Sequence, residues 1–371
     1  ILVRLSIAIL AFVVGVVTHS VWSRFGSGRM LALIDRVSTP TDNVTQASIL
    51  QVQSSAFAGK DKAWLVTTET GDLWRTEDGG KRWERLSGKA VGGQFCGISF
   101  IDADRGWAGN VKGQIWQTSD GGKSWRFLSQ PSGDKDDDFL NCPKQMSFVD
   151  EQTGWVIGNF SIWRTVDGGK TWTVGLRTGR VEDVLWLPSR ISFASRNVGL
   201  MSGFGGIVNR TIDGGLTWQS QKLVSGEADA TDVMFINERV GWLTGFVSSS
   251  QTHSGTRLYR TDDGGESWHQ VPIGDEQTYV HSVCFLNEKL GWAVGNVLRG
   301  GKRGVVLSTD DGGESWQEID VGENESYFDR MTFLDSHHGW LIGESNIYRT
   351  EDGGKSWNSV VRVTPIGYST D

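Results

Sequence analysis

The sequence has 371 residues, with 49 Gly, 18 Trp and only 6 Pro, enough chain for one large domain or two average ones. Its 36 basic and 44 acidic residues leave a formal charge of −8, which argues against nucleic acid as a partner, because phosphate binding needs a concentrated positive face. Many glycines with few prolines point to many tight turns, and the tryptophans to a packing position that recurs.

In chain order, the first element is an apolar run from Leu5 to Val17 preceded by Arg4. It is short for a span of about 20 residues, but Thr18 to Trp22 extend it to an interface where Trp is favoured. A basic residue before such a run also fits a cleaved signal peptide. No A-x-A-like site follows, only "VTHSVW", and no Cys follows to accept a lipid. Residues 1–24 are therefore a signal-anchor or a signal peptide, and 25–47 a linker. Either reading exports the remainder to the periplasm or another extracytoplasmic face of a membrane.

From residue 48 onward the chain repeats. The box Thr-x-Asp-Gly-Gly-x-(Ser/Thr)-Trp occurs seven times, on Asp78, Asp120, Asp167, Asp213, Asp263, Asp311 and Asp352, with Arg82 the one departure at its seventh place. Between boxes lies a second motif, F-x-(D/N)-x-x-x-G-W-x-x-G, as in "ISFIDADRGWAGN" from Ile98 and "VCFLNEKLGWAVGN" from Val283, with Leu200 replacing the Trp in one copy. Each unit holds four short apolar runs separated by turns; around Asp120 they are "GISFI", "GWAGN", "GQIWQTSD" and "SWRFL". Four strands in a unit of about 40–50 residues is the signature of a β-propeller blade. The expected fold is all-β: a seven-bladed propeller of four-stranded antiparallel blades over 48–363, with a tail at 364–371.

The acid of each box falls in the turn between the third and fourth strands. Its carboxylate can accept backbone N–H groups across that turn, the glycines supply angles other residues resist, and the Trp can cover the loop. A ligand site rarely recurs in every blade, whereas a structural fastener should, so the boxes are read as structural.

"TSDGGKSW" and its copies resemble Asp-box, or BNR, repeats, which also occur in sialidases, xyloglucanases and sorting receptors. Combined with the F…G-W motif they resemble the photosystem II assembly and stability factor family of seven-bladed propellers, over residues 50 to 360. The resemblance implies a non-enzymatic chaperone that holds membrane-protein intermediates, with an arginine patch on one face. This chain departs from the cyanobacterial pattern in lacking a Cys for lipidation after its apolar run.

Subtracting the repeat leaves Trp22, beside the apolar run, and Trp186. Trp186 sits in "GLRTGRVEDVLWLPSRISF", a link from one blade's fourth strand to the next blade's first, on the face opposite the boxes, where loops vary freely on a rigid scaffold. That link carries Arg177, Arg180 and Arg190; Arg330 holds the matching position of another blade; Arg299, Lys302 and Arg303 lie in "NVLRGGKRG". Singly these are ordinary solvated charges; as a set with a Trp they fit a partner interface, and the expected partner is a membrane-protein client of a monomeric chain. The acidic link "GDKDDDF" lacks the alternating spacing of a cation loop. No zinc-type Cys/His spacing or phosphate loop appears, so neither metal nor cofactor is expected.

The rival class is a glycoside hydrolase of sialidase type or a carbohydrate-binding propeller. Such an enzyme would draw on Arg180, Arg190 and Arg330 for a substrate carboxylate, Tyr279 or Tyr327 as nucleophile, and Glu182 or Asp183 as acid. The Arg-Ile-Pro signature is absent, with "SRISF" the nearest stretch. Cys96 and Cys142 both precede a first strand of neighbouring blades and can pair in an exported protein; Cys284, inside a strand, is a buried thiol.

Overall fold

The computed structural model describes residues 48–364, except 69, 87–92, 132–141, 144, 159–160, 178–179, 182–183, 186–187, 224–227, 248–254, 276, 299 and 323–324. The apolar run and linker, like the acidic link at 134–139, lie outside the described residues.

Among these residues the chain forms seven sheets arranged as a seven-bladed propeller, each with four antiparallel strands, and a separate two-stranded arm. Blade 1 shows the plan: Val52–Ala58, Lys62–Thr67, Leu73–Thr76 and Glu84–Arg85 pair in sequence order. Blades 2 to 7 begin at Phe95, Gln145, Pro188, Ala228, Thr278 and Phe328. First strands of successive blades lie against one another around the central channel. The second strands are apolar on both sides and buried throughout, as in Gly106–Asn110 and Gly339–Gly343, because each is sandwiched between neighbouring blades. Several fourth strands are short and exposed, as in Glu84–Arg85 and Gln219–Lys222.

Blade 7 carries a fifth strand. Ser48–Leu50 pairs in parallel with the last strand, Asn358–Thr364, in the register Ser48↔Arg362. The two ends of the propeller are thus joined by backbone hydrogen bonds.

The G-W tryptophan is what couples blades. Trp64 of blade 1 stacks on Phe100 of blade 2 at 3.8 Å, and the same pairing recurs for Trp107–Phe148, Trp155–Phe193, Trp242–Phe285 and Trp292–Phe333. Each such Phe then meets its own box tryptophan edge-on, as Phe148 meets Trp172. The indole N–H also crosses the interface: Trp64, Trp107 and Trp155 donate to the carbonyls of Gly121, Gly168 and Gly214 in the next blade's box, each at 2.8 Å. Where Leu200 replaces the tryptophan in blade 4, Arg210 on the paired strand donates instead, its Nε reaching the Gly264 carbonyl at 2.7 Å.

Candidate functional site

The boxes come first because they carry the most conspicuous chemistry. In blade 3 the Asp167 carboxylate accepts from the Thr165 hydroxyl at 2.9 Å, the Thr171 N–H at 2.9 Å and the Thr171 hydroxyl at 2.6 Å. Thr165 in turn accepts the Gly169 N–H at 2.8 Å. The glycines are required: Gly214 and Gly215 have φ of 76° and 88°, and a Cβ on Gly214 would stand 2.6 Å from the Arg196 carbonyl oxygen. Burial tends to raise the Asp213 pKa, but the Thr217 hydroxyl and N–H, the Thr211 hydroxyl and the Leu216 N–H outweigh it and hold the group at about 2. The carboxylates are bonded first of all within their own loops, as expected of a structural fastener.

A second ring of equivalent positions lies three residues before the phenylalanine that ends each first strand: Ser54, Gly97, Gln145, Arg190, Asp232, Ser282 and Arg330. In six of the blades a register shift immediately precedes this position, a bulge that re-aims the side chain. First strands are sheet edges, and edges expose backbone N–H groups that need acceptors. The ring supplies them from the preceding blade. Ser54 Oγ accepts the Ile98 N–H at 3.3 Å, Gln145 Oε1 the Ile191 N–H at 2.9 Å, and Asp232 Oδ2 the Val283 N–H at 3.2 Å. A similar row two residues further on includes Ser99, Ser192 and the Cys284 thiol, which takes the Phe333 N–H at 3.3 Å. Burial pushes the Cys284 thiol up to about 11, against the opposing Phe333 bond.

Arginine cannot do this work, since a guanidinium carries five donors and no acceptor. Arg190 and Arg330 therefore have no part in the edge pairing that Ser54, Gln145 and Asp232 perform. Arg190 Nη1 donates to the Ser189 carbonyl at 3.4 Å, and Arg330 lies 3.7 Å from Asp329. The two arginines feel each other's charge: burial first, and Arg330 second, lower the Arg190 pKa, while Asp232 and Asp329 act to raise it. Asp232 is shifted upward by burial, with Arg190 and the Val283 N–H opposing. Both members of this pair are pushed toward neutrality despite their attraction because desolvation exceeds the Coulomb gain. His281 belongs to the same cluster; burial lowers its pKa, and nearby Asp329 opposes that shift. All five side chains are half-buried, lining the channel rather than lost in the core.

The other residues singled out by sequence are spread more widely. Arg177 ends the fourth strand of blade 3, exposed, paired through its backbone with Ser161. Arg180 opens a two-residue hairpin arm, Arg180–Val181 against Val184–Leu185; its side chain is outside the described part, and Glu182, Asp183, Trp186 and Arg299 are outside it altogether. Arg303 starts the third strand of blade 6 and forms a bidentate ion pair with Glu318 at 2.5 and 3.2 Å, so it sits outward of the channel. Lys302 rests 4.7 Å over the Tyr327 ring. Cys96 and Cys142 are joined in a disulfide, with their Cα atoms 5.5 Å apart. Sequence reasoning missed Asp232, Asp329 and His281; counting back three or four residues from each strand-ending Phe would have found them.

Seven blades, the boxes and the inter-blade tryptophans define an Asp-box β-propeller. Residues 223–326 match the family described as photosynthesis system II assembly factor YCF48. The fold is similar to that of a structure titled YCF48 bound to D1 peptide, with 18% identity over 85% of this chain and 97% of that one and a TM-score of 0.62. It is also similar to YCF48 from Cyanidioschyzon merolae, at 19% identity, 83% and 97% coverage and a TM-score of 0.60. An ancestral GH74 enzyme, AFV00434, shares the fold at 12% identity and a TM-score of 0.61, over 87% of this chain and 48% of its own. No curated protein matches the chain.

Proposed function

We propose that this propeller is an exported, non-enzymatic assembly scaffold that binds a segment of a membrane-protein client at the channel mouth opposite the boxes. The observation that carries the reading is the pair Arg190 and Arg330, two half-buried donors at ring positions that in blades 1, 3 and 5 accept an edge N–H. Guanidinium groups of this kind hold carboxylates or backbone carbonyls by charge-assisted bonds, and Asp232, Asp329 and His281 beside them set which charges are admitted. The relative seen with a D1 peptide supports a peptide rather than a sugar as occupant. Export is supported by the apolar run and by the Cys96–Cys142 bridge, since disulfides persist in oxidising compartments.

The glycosidase reading fares worse on chemistry. A tyrosine nucleophile needs a lowered pKa, whereas burial first, and the charges of Asp329 and Glu344 next, raise that of Tyr327. The test is recovery of solubilised membrane proteins on the immobilised chain, identified by mass spectrometry, with an Arg190→Gln/Arg330→Gln variant beside the wild type. Loss of one client by tenfold or more, with unchanged melting, is expected. Undiminished recovery moves the site elsewhere, and hydrolysis of sialosides or glucans by the wild type replaces the scaffold with an enzyme.

A further inference from the structure

Three arginines sunk into the blades show the ordinary arrangement of such a group: Arg75 meets Glu84 at 3.0 Å, Arg260 meets Asp262 at 2.8 Å and Arg349 meets Asp61 at 3.2 Å. Arg190 and Arg330 depart from it. Among the described residues no carboxylate comes within hydrogen-bond distance of either; Arg190 has the Ser189 carbonyl at 3.4 Å, and Asp329 stands 3.7 Å from Arg330. Their blades are three apart, the widest separation a ring of seven allows, yet Arg190 feels the charge of Arg330 and Asp232 feels both. The two guanidiniums therefore extend inward and converge in the channel. Asp232 is already committed, accepting the Val233 N–H at 3.0 Å, the Val283 N–H at 3.2 Å and the Ser282 hydroxyl. Asp329 is not: among the described residues it accepts no hydrogen bond, and its charge acts on Arg190 and on His281. Two like charges in a partly desolvated lumen cost free energy that nothing in the fold offsets.

We propose that an inorganic phosphate ion sits in the channel between Arg190 and Arg330. A tetrahedral oxyanion presents acceptors on opposite sides at once, so guanidiniums from facing walls can each pair with it through two bonds. At neutral pH phosphate also keeps a proton, and its hydroxyl can donate to the Asp329 carboxylate, which when ionised only accepts. Sulfate, with no proton to give, meets that carboxylate as a like charge alone. The ion deepens the client reading, which rests on the same two arginines: an acidic group of a client has to displace it.

The test is equilibrium dialysis of the full chain against radiolabelled phosphate, with chloride holding the ionic strength constant. One ion per chain is expected, with sulfate competing at least tenfold more weakly. Arg190→Gln and Arg330→Gln, each melting like the wild type, should lower phosphate affinity by about tenfold or more. Asp329→Asn should cut the preference for phosphate over sulfate severalfold while one ion still binds, a change that a folding defect does not produce. No saturable phosphate, sulfate bound as tightly as phosphate, or binding that survives both arginine changes (an adventitious ion only) overturns the proposal. Client recovery repeated with and without phosphate separates the two readings. Recovery that falls as phosphate is added puts both in one site. Recovery untouched by a phosphate that does bind moves the client and leaves the ion. Recovery that depends on the arginines, with no phosphate bound, leaves the client and removes the ion.

Discussion

At the scale of single residues, the box aspartates and the ring arginines illustrate two fates of a charged group in a repeated position. Asp167 has four hydrogen bonds within its own loop, so Asp167→Ala should lower unfolding stability by about 1–3 kcal/mol, the cost of losing charge-assisted bonds that close the turn. Urea denaturation will show it, and client recovery should be unchanged; a variant that melts normally but fails to bind would reverse the reading of the boxes. The same bonds set a pH dependence. Asp213, Asp263 and Asp352 are held at about 2 in the fold, below an unfolded value of about 4. A depressed folded pKa gives stability that is full above the unfolded value and is lost as pH falls toward the folded one. The contribution of the boxes to thermal stability should therefore be flat from neutrality down to about 4 and be lost steeply toward 2. The box was legible in sequence because its chemistry is local and repeated. The channel cluster was legible only in part: Arg190 and Arg330 stood out by charge, whereas Asp232 and His281 occupy strand-interior positions where the repeat tolerates several residue types.

At the scale of strands and blades, the substitution of Leu200 tests how the interfaces hold. Arg210 supplies the bond that a tryptophan gives elsewhere, so Arg210→Met should destabilise by about 1–3 kcal/mol through the unpaired Gly264 carbonyl. Gln117→Met, on the matching strand of blade 2 where Trp107 already serves Gly168, should cost far less; equal losses would mean the bond is incidental. Nearly every strand was readable, because alternating apolar residues flanked by Gly-rich turns appear in each unit. What the pattern could not reveal was this replacement of one donor by another, since Arg210 and Leu200 are neighbours only across a strand pair.

At the scale of the whole molecule, the number of blades followed from counting boxes, but the manner of closure did not. Ser48–Leu50 has three residues, no motif, and a partner more than 300 residues away that no local signal could indicate. Ile49→Pro removes a donor from this parallel pairing and should lower the melting temperature by several degrees while leaving the inner channel intact; an unchanged melt would show that blade 7 closes on blade 1 by side-chain packing alone.

The indoles of blades 1, 2, 3 and 5 and the ring acceptors Ser54, Gln145 and Asp232 all reach forward around the ring. The indole of one blade reaches forward to the loop of the next, and the ring side chain reaches forward to the next edge. Such an interface is head-to-tail, and repetition of a head-to-tail contact yields either a closed circle or an endless helix, depending only on the rotation per unit. A duplication that added an eighth unit would leave no place to insert it, and a deletion would strand a forward-reaching donor at one end and a bare loop carbonyl at the other. Copy number is thus under selection as a single quantity, while the residues at the rim and at the loop tips are free to diverge.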